Sequence, residues 1–218
     1  MTTLRVLCMT VAAMSLLTLS GCETMYFKSM EKVGIHKRDI LVDRVEEARD
    51  AQTEGKEQFR SALEEFSHVV NFKGGDLEKT YNTLNDEYED AEEAAQEVKD
   101  RINAVESVAE ALFSEWRDEI TQYSSAKLKR SSETRLRNTR KKYRQMLATM
   151  RKAESKMQPV LSAFKDQVLY LKHNLNARAI TSLQQEFGSI KTNIAVLIKE
   201  MEKSINEAEA FIQTMEQQ

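Results

Sequence analysis

Residues 77–116, LEKTYNTLNDEYEDAEEAAQEVKDRINAVESVAEALFSEW, decide the fold of this chain. Apolar side chains recur along the stretch in steps of four and three, from Leu77 through Val98 to Trp116. A period of 3.5 residues sustained over more than five heptads is typical of a long helix with one apolar stripe. The stretch therefore predicts a helix over residues 76–123, about 70 Å long.

The same spacing continues on both sides of this helix. It predicts three further helices, over residues 38–72, 126–174 and 178–216. The single proline and six glycines of the chain leave little room for sheets. Short connections between long helices favour antiparallel neighbours. We therefore expect an all-α fold, an elongated antiparallel four-helix, coiled-coil-like bundle over residues 38–218.

Three residues interrupt the apolar stripes. Gln52 and Gly55 weaken the middle of the first stripe. Gly55 allows two interpretations, a close contact between helices or a hinge. Pro159 lies inside the third predicted helix, where a proline removes one hydrogen bond and bends the helix. We expect one bent helix there, not two helices.

Several apolar residues lie off the main stripes. They either complete the core of the bundle or serve self-association. These residues are Val108, Phe113, Ile120, Ile198 and Phe211.

The N-terminus has the anatomy of a secretory signal: Arg5, an apolar run over residues 6–19, and then small residues. The run is too short to span a bilayer as a helix. Residues 19–22, Leu-Ser-Gly-Cys, resemble a bacterial lipobox. The resemblance implies a cleaved signal peptide over residues 1–21 and a lipidated cysteine with a linker over residues 22–37. The alternative is an ordinary signal peptide with an incidental cysteine.

A lipobox implies that Cys22 carries a diacylglycerol on sulfur and a third acyl chain on its amine. Several acyl chains anchor a protein firmly in a lipid bilayer. Glu23 follows the cysteine, and the resemblance then favours the outer membrane, with the protein facing the periplasm. The other cysteine, Cys8, leaves with the signal, so the mature protein would contain no disulfide.

Four further stretches resemble one protein family. They are residues 71–77 (NFKGGDL), 159–161 (PVL), 164–169 (FKDQVL) and 171–177 (LKHNLNA). They are similar to an uncharacterised Gram-negative bacterial lipoprotein family, domain of unknown function 2959. The resemblance implies a helical lipoprotein with no assigned activity, and it transfers no functional residues to this chain.

Charge is strongly segregated along the chain. Residues 127–144, the basic segment, contain nine Lys and Arg against one Glu, whereas residues 76–99 contain nine Asp and Glu against two Lys. The basic segment either pairs with acids at 106–123 of the preceding helix or contacts anionic head groups or an anionic envelope polymer. The candidate contact residues are Lys127, Lys129, Arg130, Arg135, Arg137, Arg140, Lys141, Lys142 and Arg144. Nucleic acid is not an expected partner, because the predicted compartment excludes it.

The motifs of known enzyme classes are missing from the sequence. There is no Gly-rich phosphate loop and no nucleophile or zinc motif. Glu65 and His68 form one Glu-x-x-His, but a di-iron bundle needs two. Gly74 and Gly75 favour a helix C-cap over an anion site. We expect no enzyme activity, metal, cofactor or small-molecule substrate.

These patterns predict a tethered helical spacer or interaction module of the cell envelope. Its partners would be the bilayer, through acylated Cys22, and either an envelope protein or a second copy of the chain. The alternative is a membrane-surface protein that binds anionic lipid or polymer through the basic segment.

Overall fold

The computed structural model describes residues 36–217, which form four long helices. The helices are α1 (Lys37–Val70), α2 (Leu77–Gln122), α3 (Ala126–His173) and α4 (Ala177–Glu216). Each helix end lies within two residues of its predicted position, and no strand occurs between residues 36 and 217. The predicted all-α fold is confirmed.

The helices pack as an antiparallel bundle, in which α1 and α3 each lie between α2 and α4. The start of α1 meets the end of α2, because Lys37 Nζ lies 3.0 Å from a carboxylate oxygen of Glu115. The end that holds Lys37, Gln122, Ala126 and Glu216 is called the basal end here, and the opposite end the distal end. The described chain therefore begins at the basal end.

The apolar stripes form the core. All nine predicted positions of the α1 stripe, from Leu41 to Val69, are buried, including Gln52 and Gly55. Leu84, Val98 and Ile102 of α2 are fully buried as well. Burial of the apolar stripes gives these long helices a continuous core.

Leu175 lies in the turn between α3 and α4. It continues the apolar spacing of α3 but is 41% exposed, because α3 ends at His173. The apolar spacing therefore runs past the end of the helix, into residues that do not pack in the core.

The apolar residues off the stripes complete the core. Val108, Phe113, Ile120 and Phe211 are buried, and Ile198 packs partly buried against them. The ring of Phe113 lies edge-on to that of Tyr143, with centroids 5.3 Å apart. These side chains are therefore not available for self-association.

Gly55 is buried where α1 meets α2 and α4. A Cβ atom at this position would lie 3.4 Å from Met201 Cε of α4 and 3.5 Å from Val98 Cγ2 of α2. Both are ordinary van der Waals separations, so this contact between three helices does not require a glycine. The other interruption, Pro159, is exposed, and α3 runs through it without ending, as predicted.

Side-chain caps fix where three helices begin. Asp76 Oδ1 accepts a hydrogen bond of 3.0 Å from the Lys79 amide, and Ser125 and Asn176 cap α3 and α4 in the same way. The prediction for the two glycines was wrong, because Asn71 is the C-cap of α1. Gly74 and Gly75 lie in the following turn with φ of 143° and 120°, which L side chains rarely adopt.

Candidate functional site

The basic segment forms the first turns of α3, at the basal end. Ser125 begins the helix, its hydroxyl accepting a hydrogen bond from the Leu128 amide at 3.4 Å. The first turn contains no acidic residue, although Lys127 and Lys129 lie there. Cations at a helix N-terminus oppose the helix dipole and reduce stability. The placement of these lysines therefore has no explanation in helix stability.

The charges of the basic segment face solvent. Seven of its nine cations are exposed, and Lys129 and Arg140 are partly buried. Within residues 36–217, none of the nine lies within 4.0 Å of a carboxylate oxygen. The segment is therefore not neutralised by ion pairs with the helices beside it.

The contacts that these cations do make are with neutral groups. Arg137 donates to Thr134 Oγ1 at 2.9 Å, and Lys142 donates to Thr214 Oγ1 of α4 at 2.9 Å. The guanidinium of Arg140 lies 5.5 Å from the ring centroid of Phe113. These contacts orient the side chains and leave their charge uncompensated.

The expected pairing with acids at 106–123 is not found, and other cations bind two of the five acids. Glu115 pairs with Lys37 of α1 at 3.0 Å, and Glu106 pairs with Arg151, which follows the basic segment on α3. Arg151 also holds Glu154 at 2.8 Å. The helix register brings these other cations opposite Glu106 and Glu115. The remaining acids of the stretch, Glu110, Asp118 and Glu119, do not lie within 4.0 Å of any of the nine cations.

A groove of about 530 Å³ runs between α2 and α3 beside the basic segment. Arg140 and Arg144 line it, together with Glu106 and Glu110 on the opposite wall. Tyr143 forms part of the floor, and burial raises the pKa of its phenol above the usual value. The groove contains both signs of charge, and its open shape gives no enclosed chamber for a small molecule.

The two helices that join at the basal end project beyond α1. Lys37 pairs with Glu115, so residues 116–122 of α2 extend past the start of α1 by about 10 Å. The first turns of α3, with their cations, project alongside.

His68 lies on the surface of the bundle. Its side chain is 61% exposed, and its Nδ1 lies 3.3 Å from Glu65 Oε1 one turn earlier. Among the residues that the structure describes, no three His, Cys, Asp or Glu side chains group as metal ligands would. Glu65 and His68 therefore form a local surface pair.

Cys22, the predicted lipidation site, and residues 1–21 lie outside the described residues. No helix in the described range is long and apolar enough to cross a membrane.

One known protein family has a sequence model that matches most of this chain. The sequence model of the family described as "Protein of unknown function (DUF2959)" matches residues 26–215. The chain belongs to this family. The DUF2959 match covers all four helices except the last residue of α4, and it begins four residues after Cys22. No curated protein matches the chain.

The sequence patterns identified the basic segment but not two exposed side chains, one within it and one just before it. Tyr123 and Leu128, at the join of α2 and α3, are 43% and 55% exposed. Neither belongs to the apolar series that predicted the helices. These two side chains are identified by their position beyond the last core residues. That position can be recognised only when the ends of the helices are known.

Proposed function

We propose that this DUF2959 protein is a non-enzymatic lipoprotein of the cell envelope, a membrane-tethered helical spacer and interaction module. The observation that carries the proposal is that the chain enters a bundle about 70 Å long at one end. An anchor on Cys22 would hold such a bundle by its basal end. Its long side faces would then be free to meet a partner.

The side faces of the bundle fit an interaction role better than a chemical one. A groove of about 710 Å³ lies between α2 and α3, and four of its eleven lining residues are the carboxylates Glu89, Glu92, Glu93 and Glu154. These groups line a groove that is open to solvent. General acid–base chemistry needs groups held around a reacting atom.

The proposal is tested in cells by replacing the anchor. In the parent chain, with Cys22 intact, the protein should fractionate with the outer membrane, and crosslinking in intact cells should join it to an envelope protein. A Cys22→Ser variant should leave the membrane fraction. Parent and variant fractionating identically would contradict tethering through Cys22.

A second candidate function is contact with an anionic surface through the basic segment. The absence of ion pairs around its nine cations, noted above for residues 36–217, favours it. Cations near an anionic surface each strengthen binding, and salt screens the effect. Tethering by the basal end would keep the segment close to the bilayer.

This second function is tested with the chain from residue 22 carrying Cys22→Ser, which retains every residue of the bundle. It should bind vesicles that contain phosphatidylglycerol at low salt and release them as salt rises. Failure to bind anionic vesicles and a soluble polyanion alike would reject it. A spacer without this function would also keep the same helicity and protease resistance when vesicles are added.

A further inference from the structure

The join of α2 and α3, residues 123–130, is called the α2–α3 tip here. We propose that this tip inserts Tyr123 and Leu128 into the surface of an anionic lipid bilayer, with Lys127, Lys129 and Arg130 on the head groups. The inference rests on the second candidate function and adds to it. It specifies a bilayer, since a soluble polyanion has no apolar layer to receive these side chains.

The tip exposes apolar surface that the fold does not cover. Leu128, at 55%, is the most exposed of the large hydrophobic side chains in residues 36–217, and Tyr123 is 43% exposed. The nearest apolar residues toward the bundle, Ile120 on α2 and Leu136 on α3, are buried. Tyr123 and Leu128 therefore lie beyond the end of the packed core.

The tip is also in the right place to reach a membrane. It projects about 10 Å beyond the start of α1, as the pairing of Lys37 with Glu115 shows. The chain that precedes His36 and carries Cys22 joins the bundle at this same end. A lipid anchor on that chain would bring the tip to the bilayer before any other part of the bundle.

The charge around the tip suits an anionic surface. Residues 123–130 contain three cations and no acid. Asp118 and Glu119 on α2 and Glu133 on α3 lie nearby, but the basic segment carries +8 against −4 for residues 106–123. An exposed aromatic and an aliphatic side chain flanked by cations are the groups that enter a membrane interface together.

The chain provides its own control at the distal end of the bundle. Leu169 and Tyr170 on α3 are 45% and 41% exposed, close to the values at the tip. They match Leu128 and Tyr123 in residue type. They lie near the opposite end of the same helix, so a bilayer reached by the tip would not touch them.

The experiment measures binding of the Cys22→Ser chain, starting at residue 22, to vesicles of phosphatidylglycerol and phosphatidylcholine. The same proteins are titrated with soluble polyphosphate. Three variants are compared, Tyr123→Ser with Leu128→Ser, Leu169→Ser with Tyr170→Ser, and a triple Gln replacement of the tip cations. Circular dichroism verifies that each is folded.

Replacing Tyr123 and Leu128 by Ser should weaken vesicle binding about tenfold or more, because most of the apolar transfer energy of two side chains is lost. The same replacement should leave polyphosphate binding unchanged. The distal control, Leu169→Ser with Tyr170→Ser, should change neither vesicle binding nor polyphosphate binding. The triple Gln variant should weaken both. In a Tyr123→Trp variant, brominated lipid should quench the new tryptophan more strongly than Trp116 of the parent.

Two results would overturn the inference, and they are distinguishable. If the Tyr123→Ser, Leu128→Ser variant binds vesicles as tightly as the Cys22→Ser chain does, the basic segment contacts the surface without insertion. The second candidate function then survives. If the Cys22→Ser chain without further replacements binds neither vesicles nor polyphosphate, both the inference and the second candidate function are wrong.

Discussion

The amide of Gln52 is fully buried on α1, and neither its nitrogen nor its oxygen has a hydrogen-bond partner within residues 36–217. A buried amide without partners retains the desolvation cost that a hydrogen bond would offset. Gln52→Met, nearly the same shape without polar atoms, should therefore raise the free energy of unfolding by about 1–2 kcal/mol.

Urea denaturation of the variant and the parent measures the effect. Gln185→Met, at an exposed position of α4, is the control and should change stability by less than about 0.5 kcal/mol. A destabilised Gln52→Met protein would mean that the amide is satisfied after all.

The two helical glycines differ in the space around them. A Cβ at Gly55 would contact Met201 at 3.4 Å, whereas a Cβ at Gly188 meets nothing within 4 Å. Gly188→Ala should stabilise the protein by about 0.5–1 kcal/mol through helix propensity alone. Gly55→Ala should gain less, and Gly55→Leu should cost about 1–3 kcal/mol because it overpacks the contact.

Thermal and urea unfolding of the glycine variants compares them directly. The hinge interpretation of Gly55 predicts a different pattern. If the position must flex, Ala would alter protease sensitivity at the middle of α1, while Gly188→Ala would not.

The tyrosines link stability to alkaline pH. Burial, and then a hydrogen bond of 3.0 Å to Glu92, raises the pKa of Tyr88 to about 12. The unfolded value is about 10. Because the folded pKa is the higher one, stability is complete below about pH 10 and falls as pH rises toward about 12.

Urea midpoints at a series of pH values test this dependence. Tyr88→Phe should make the decline between about pH 10 and 12 shallower than in the parent, and the exposed Tyr170→Phe should not. An unchanged slope in Tyr88→Phe would show that Tyr88 does not contribute.

At the scale of the element, α3 carries an exposed proline in its interior. Pro159 removes a backbone hydrogen bond and crowds the preceding turn. Pro159→Ala should stabilise the protein by about 1–3 kcal/mol. Ser155→Ala, one turn earlier and also exposed, is the control and should shift stability by less than about 0.5 kcal/mol.

The opposite sign would be informative. Val160 and Leu161 beside the proline are buried. Loss of stability in Pro159→Ala, measured by the same urea titration, would mean that their packing depends on a bend at that point.

The elements themselves were predictable from the sequence, and their lateral contacts were not. The stripe from Leu77 to Trp116 fixed the helix and its buried face, because only helical periodicity repeats at this spacing. Burial of Phe113 and Phe211 depends on which helices become neighbours. The pairing of Arg151 with Glu106 depends on helix register, which apolar periodicity does not specify.

The candidate site was predictable to the same degree. The composition of the basic segment is visible in the sequence, but its lack of ion pairs depends on helix register, which brings Lys37 to Glu115 and Arg151 to Glu106. The exposure of Leu128 follows from where the packed core ends. Both features depend on how the helices are arranged, and the apolar spacing of a single helix does not specify that arrangement.

The whole molecule is expected to be a rod in solution. The 48 residues of α3 span about 72 Å, which gives a radius of gyration of about 22 Å for the bundle. A compact domain of similar length would have about 16 Å. Small-angle X-ray scattering of the chain from residue 22 should give at least about 22 Å at low concentration. A value near that of a compact domain would mean that the helices fold back on one another.

We propose that this rod is attached to a membrane by its basal end, and the mass of the protein extracted from membranes tests the attachment. We expect a chain that begins at Cys22 and is heavier than its sequence by a diacylglyceryl group and an acyl chain. An unmodified Cys22, in a chain that still carries residues 1–21 or is cut elsewhere, would contradict it.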